Sequence, residues 1–235
     1  MPPDAFHPAS PARTFPHGRG EDTRLRILQT ALQLFATEGY EGASTRTLAK
    51  RAGVNLPAIQ YYFGSKEGLY HAVIEQIADR MEEKIAPVTA EIRDALASGL
   101  ASRDEMLSLL CGMLEKFVVL VTDRDKPDWE SRSLFFARAE VEGAAALLPL
   151  HQRVVRLIVE PCAALVGKLI ARPPDAEETL LKTIALIGQV VVFCNRKAHL
   201  ALGWQTPKAR HVKAVQALIS GHTRAIFAVP PEREG

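Results

Sequence analysis

Residues 44–66, STRTLAKRAGVNLPAIQYYFGSK, decide the fold. Ser44 and Thr45 are residues of the kind that cap a helix start, because a side-chain oxygen there accepts from backbone N–H groups with no partner inside the helix. Leu48 and Ala49 turn one face of the following short helix inward, and Ala52 is small where a second helix must cross closely. Gly53 has no Cβ and takes the left-handed conformation that turns the chain sharply. Val54 fills the corner. Pro57 fixes the first turn of the next helix, and Leu56 before it is expected outside helical geometry. Ile59 and Phe63, four residues apart, seat that helix on the core. Two short helices joined by a tight turn in this way form a helix-turn-helix.

With Ile59 and Phe63 inward, Pro57, Ala58, Gln60, Tyr61 and Tyr62 face outward. A Gln-Tyr-Tyr cluster suits a nucleic-acid groove: hydroxyls and an amide reach phosphates, while rings and methylenes meet thymine methyls. The alternative is that one or both tyrosines pack on neighbouring helices. The net charge of the whole chain is only +2, so attraction to DNA has to be local. Arg46, Lys50, Arg51 and Lys66 supply it, with no acid between Ser44 and Lys66.

Outward from this segment the pattern is helical. Leu25, Leu28, Ala31, Leu32 and Phe35 follow a 3.6-residue period, with Asp22 or Thr23 as cap and Gly39 as stop. Residues 1–20, rich in Pro, Ala, His and Gly, read as a disordered arm that either touches DNA or is a plain tail. Ser65 caps a fourth helix running to about Pro87. Further helices are expected near 89–98, 103–122, 128–144, 148–171 (complicated by Pro149 and Pro161), 175–202 and 207–229. The class is all-α: an N-terminal helix-turn-helix domain with its linking helix over 21–86, then a helical domain over 87–229.

Cys111, Cys162 and Cys194 are scattered in apolar surroundings, with no disulfide framework and no zinc spacing. The longest apolar run is far shorter than the roughly 20 residues a bilayer requires. No apolar leader opens the chain, so a cytoplasmic protein without membrane contact is expected. No phosphate loop, metal motif or nucleophile elbow is present, so neither an enzyme nor a cofactor is expected.

Residues 23–69 resemble the DNA-binding domain of TetR-family regulators. The resemblance lies in Leu34-Phe35-Ala36-Thr37-Glu38-Gly39-Tyr40, the Ser44-Thr45 cap, Leu48-Ala49, Ala52-Gly53-Val54, and Tyr61-Tyr62-Phe63 followed by Ser65-Lys66-Glu67-Gly68-Leu69. It implies that Thr45 binds phosphate, that Arg46 lies where some members place a base-reading arginine, and that Leu56, Pro57, Ala58 and Tyr61 face bases. Gln60, Tyr62 and Lys66 fall on phosphate-contacting positions. Many members have Tyr where this chain has Gln60, which leaves a base contact open there.

The C-terminal half resembles the CecR-like branch of the family, through residues 134–142, Pro161-Cys162, residues 186–193 and Leu202-Gly203-Trp204. The resemblance implies a homodimer through the helices near 176–202 and 207–228, and a small hydrophobic or aromatic effector. Phe117, Trp129, Phe135, Phe136, Arg138 and Phe193 are the candidate ligand residues, with Arg138 for an anionic or acceptor-bearing group. The alternatives are that Arg138 pairs with Glu142 and that the aromatics are core. The expected function is a repressor released from a palindromic DNA operator by that ligand. Two rivals are a DNA-binding regulator without a small-molecule ligand and a helical module whose Gln-Tyr-Tyr face binds protein.

Overall fold

The computed structural model describes residues 17–122, 129–141, 147–194, 196–204 and 208–228, and every regular element among them is helical. Helix α1 (His17–Gly42) opens before the expected cap at Asp22 or Thr23, so residues 17–20 are its first turn rather than part of an arm. That turn lies beside Tyr62: a Cβ at Gly20 would stand 3.6 Å from its hydroxyl. The remainder of the expected arm lies outside the described residues. At Gly39 (φ 76°, ψ 176°) the backbone leaves helical geometry, so the expected stop is a kink with one more turn behind it.

Helices α2 (Thr45–Ala52) and α3 (Leu56–Phe63) form the helix-turn-helix, and α4 (Lys66–Ser98) follows. The expected stop of α4 near Pro87 does not occur. A proline inside a helix removes one hydrogen bond and costs about 3 kcal/mol. Ile85, Val88 and Ile92, all buried, bury one continuous face across it, at on the order of 1.5–3 kcal/mol per large apolar side chain. Burial outweighs the local cost, and the separate helix expected over 89–98 is the end of α4.

Helix α5 (Arg103–Thr122) matches expectation, and α6 runs Trp129–Val141. The expected helix over 148–171 is α7 (Leu148–Val154), a wider π turn (Val155–Val159) and α8 (Glu160–Ile170), with Pro161 in the first turn of α8. The long helix expected to Leu202 is instead α9 (Glu177–Val191), a tight 3₁₀ turn (Val192–Cys194) and α10 (Arg196–Ala201). The break follows the β-branched run Val190-Val191-Val192, whose side chains crowd a helix. Helix α11 spans Ala209–Ile226.

One hydrophobic core runs through both halves, from Ile27 and Phe35 through Ile74, Leu114 and Leu165 to Ile219 and Phe227. Helix α5 is its centre: α4, α8, α9 and α11 all pack on it. Helix α6 packs instead on α1, tying the C-terminal half directly to the helix-turn-helix. Arg103 closes the far end. Its guanidinium donates to the carbonyls of Leu169 (2.6 Å) and Phe227 (2.9 Å), setting a cation at the carbonyl-rich ends of α8 and α11. No helix among the described residues is long and apolar enough to cross a membrane.

Candidate nucleic-acid interface

The turn is built as its residues require. The Ser44 hydroxyl accepts from the Thr47 N–H at 3.0 Å and caps α2. Gly53 adopts φ 63°, ψ 39°, and its N–H returns to the carbonyls of Ala49 and Lys50. The cap of α3 is Asn55: its side-chain oxygen accepts from the Ala58 N–H at 3.1 Å while its backbone is extended. Leu56 therefore opens α3 rather than standing outside it. Asn before Leu-Pro is a legible capping signal that the sequence reading passed over. Ser65 caps α4 by accepting from the Gly68 N–H at 3.0 Å. Gly68 fits because a Cβ there would fall 2.1 Å from the Phe63 carbonyl oxygen.

Inward and outward faces divide largely as expected. Leu48, Ala49, Ala52 and Ile59 are buried. Arg46, Leu56, Pro57, Gln60 and Tyr61 are exposed, Thr45 and Ala58 are half-buried, and the Tyr61 ring is 82% exposed. Tyr62 departs from the outward expectation. It is half-buried, packs against the core, and meets Tyr61 edge-on at 5.1 Å and Phe63 at 6.2 Å. The first turn of α1 passes close to its hydroxyl, 3.6 Å from where a Cβ at Gly20 would stand. Pro57, Ala58, Tyr61 and Tyr62 still border one open depression beside α3.

The local cations are not equivalent. Arg46 and Lys50 are exposed. Arg51 pairs with Glu38 at 3.3 Å. Lys66 is half-buried: its ammonium donates to the Glu41 carbonyl at 3.3 Å and lies 4.6 Å from the centre of the Tyr40 ring. Burial, then Glu67 and Glu41, push the Tyr40 phenol above its usual range, so that ring stays neutral beneath the ammonium. An ammonium has three donors, so Lys66 retains capacity at the start of α4. Two α1 residues that the sequence reading did not single out also reach this region. Arg24 lies 5.6 Å over the Phe63 ring, and Arg26 Nε donates to the Ala52 carbonyl at 2.9 Å.

The six candidate ligand residues are spread over α5, α6 and the 3₁₀ turn after α9. Phe135 is buried against Tyr70 (5.2 Å), which meets Phe35 and Tyr40 edge-on, so it belongs to a ring cluster shared by α1, α4 and α6. Phe136, half-buried, packs edge-on against Phe135 at 5.8 Å. Trp129 hooks the Val121 carbonyl at 2.9 Å and meets His199, itself stacked near Trp204. Phe117 is buried on α5, and Phe193 is half-buried in the 3₁₀ turn. Arg138 is half-buried on α6, and Glu142, its alternative partner, lies outside the described residues. A second open depression, lined by Leu96, Gly167, Lys168 and Arg172, touches none of the six. The apolar type of the five aromatics carries no information on which neighbours they meet.

Two family models match. Residues 27–73 match bacterial regulatory proteins of the tetR family, and residues 108–228 match the C-terminal domain of the HTH-type transcriptional dual regulator CecR. The CecR dual regulator of Shigella flexneri is 28% identical over 220 residues, 93% of this chain and 96% of that one. Among solved structures, a TetR-like transcriptional regulator from Rhodococcus sp. RHA1 shares the fold with a TM-score of 0.62 at 22% identity, over 92% of this chain and all of that one. AibR, solved with isovaleryl coenzyme A and operator DNA, superposes with a TM-score of 0.60 at 17% identity, over 85% of this chain and 97% of that one.

Proposed function

Because the chain belongs to the TetR family of bacterial regulatory proteins, with a C-terminal domain of the CecR type, we propose that it is a cytoplasmic homodimeric repressor that reads a palindromic operator through α3 and releases it on binding a small hydrophobic or aromatic effector. It is a transcriptional regulator and not an enzyme. The observation that carries the DNA reading is the 82% exposed Tyr61 ring, presented with Pro57 and Gln60 on a helix whose opposite face is buried. A large exposed aromatic on a rigid short helix, within a stretch free of acids, is suited to a groove. Thr45 at the start of α2, together with Gln60, Tyr62 and Lys66, supplies backbone contacts; Arg46, Leu56, Pro57, Ala58 and Tyr61 face bases.

The dimer reading is supported by α9 and α11. Leu181 (64%) and Ile184 (54%) on α9 and Leu218 and Ile226 on α11 are exposed apolar residues. A Cβ added at Gly188 or Gly221 would meet nothing within 4 Å, so that face is open to close approach. A second copy covering it would set the two α3 helices in successive major grooves, roughly 34–36 Å apart or somewhat more. The domain division at 86/87 then separates reader from sensor along α4, which crosses it unbroken.

The effector reading is supported by family membership and by the direct packing of α6 on α1. Phe117, Trp129, Phe136, Arg138 and Phe193 are the candidate contacts. Phe135 is placed to pass a shift of α6 to Tyr70 on α4. Only an effector with different affinity for the two arrangements can move the equilibrium. The test is selection of duplexes from a random pool by the full chain. The expected product is an enriched two-fold symmetric site; a pool left unenriched at low salt contradicts the DNA reading.

A further inference from the structure

We propose that Arg26, on the first helix and outside the helix-turn-helix, is a DNA-backbone contact working beside α3. The proposal rests on the reading of α3 as the DNA-facing helix. Arg26 is exposed, yet its Nε donates to the Ala52 carbonyl at 2.9 Å. That bond fixes a long side chain while using one of five guanidinium donors. It also places the cation where α2 ends and the turn into α3 begins.

Thr23 and Arg26 line the same open depression as Asn55, Pro57, Ala58 and Tyr61, and none of the described residues lining it is acidic. The depression opens at the start of α3. A guanidinium and the Tyr61 side chain thus share one opening. A helix about 10 Å across nearly fills a major groove about 12 Å wide, so a cation at its flank meets the phosphates bordering that groove. The chemistry that fits is a phosphodiester. Arg24 serves as the contrast: it is half-buried, and its guanidinium lies 5.6 Å over the Phe63 ring.

The test is the salt dependence of binding by full-length protein to a duplex of arbitrary sequence, for wild type, Arg26→Ala, Arg26→Gln and Tyr61→Ala. Glutamine keeps a donor for the Ala52 carbonyl and removes the charge, so it separates backbone tie from phosphate contact. Each lost phosphate contact lowers the slope of log affinity against log salt by about 0.9, or about 1.8 for a dimer that loses one per subunit. Arg26→Gln is expected to show that loss with an unchanged melting temperature, and to weaken selected and arbitrary duplexes by the same factor. A wild-type slope and affinity in Arg26→Gln overturns the proposal and leaves Arg26 a structural tie. If Tyr61→Ala changes binding while Arg26→Gln does not, the proposal alone falls. A wild-type protein that binds no duplex overturns both it and the reading of α3.

Discussion

The Thr89 hydroxyl donates to the Leu157 carbonyl at 2.9 Å, and the residue that would pair with that carbonyl in a regular helix is Pro161. Proline has no N–H to give. The helix loosens into the π turn Val155–Val159, and α4 supplies the missing donor from 68 residues away. Thr89→Val keeps the shape and removes the donor, so it is expected to cost about 1 kcal/mol of stability. In a Pro161→Ala background the backbone can satisfy Leu157 itself, and the same substitution should cost clearly less. Denaturant melts of the four proteins give the coupling; strict additivity would contradict the account.

Arg103 bonds two helix ends at once, through Leu169 and Phe227. Arg103→Ala should destabilise the chain by about 2 kcal/mol, since hydrogen bonds from charged donors are worth about 1.5–3 kcal/mol. The loss should appear as a lower melting temperature and as faster amide exchange at the end of α11. An unchanged melt would mean that water replaces the guanidinium at no cost.

His211 stacks on Trp204 at 4.5 Å, and its Nδ1 accepts from the Lys208 N–H at 3.0 Å. Desolvation first, then Arg210 and Lys208, hold its pKa below the usual value. The native state therefore favours the neutral ring. Its contribution is complete above the unfolded value of about 6.5 and is lost as pH falls through that value and below. Thermal melts should show stability declining from about pH 7 to 5, and His211→Asn should flatten part of that decline. A profile identical in the variant removes His211 as a cause.

Lys66 is held by Tyr40 and the Glu41 carbonyl, so Lys66→Ala should act on two readouts. It is expected to lower the melting temperature slightly and to weaken DNA binding about evenly across sequences. A loss confined to one selected sequence would mean that Lys66 reads bases.

The helix-turn-helix was legible because each of its residues answers a local demand: a cap at Ser44, a left-handed turn at Gly53, an anchor at Ile59. What the sequence reading missed depends on distant partners. Nothing near Arg26 announces the Ala52 carbonyl, and nothing near Tyr62 announces the first turn of α1. Pro87 reads locally as a stop, and only the buried face on both sides of it overrides that. In the sequence Phe135 reads as a candidate ligand residue or as core; an apolar ring carries no address, and it packs on Tyr70 of α4.

The central claim is that the α3 face reads DNA sequence through Tyr61. Tyr61 is exposed, so truncating it leaves the core intact. The direct measurement is the ratio of affinities for a selected symmetric duplex and a scrambled one, at one salt concentration, in wild type and Tyr61→Ala. The account predicts that the ratio falls by about fivefold or more in the variant, with scrambled-duplex affinity changed much less, as loss of a base contact worth about 1–3 kcal/mol requires. A ratio unchanged in Tyr61→Ala, or equal losses on both duplexes, would contradict it.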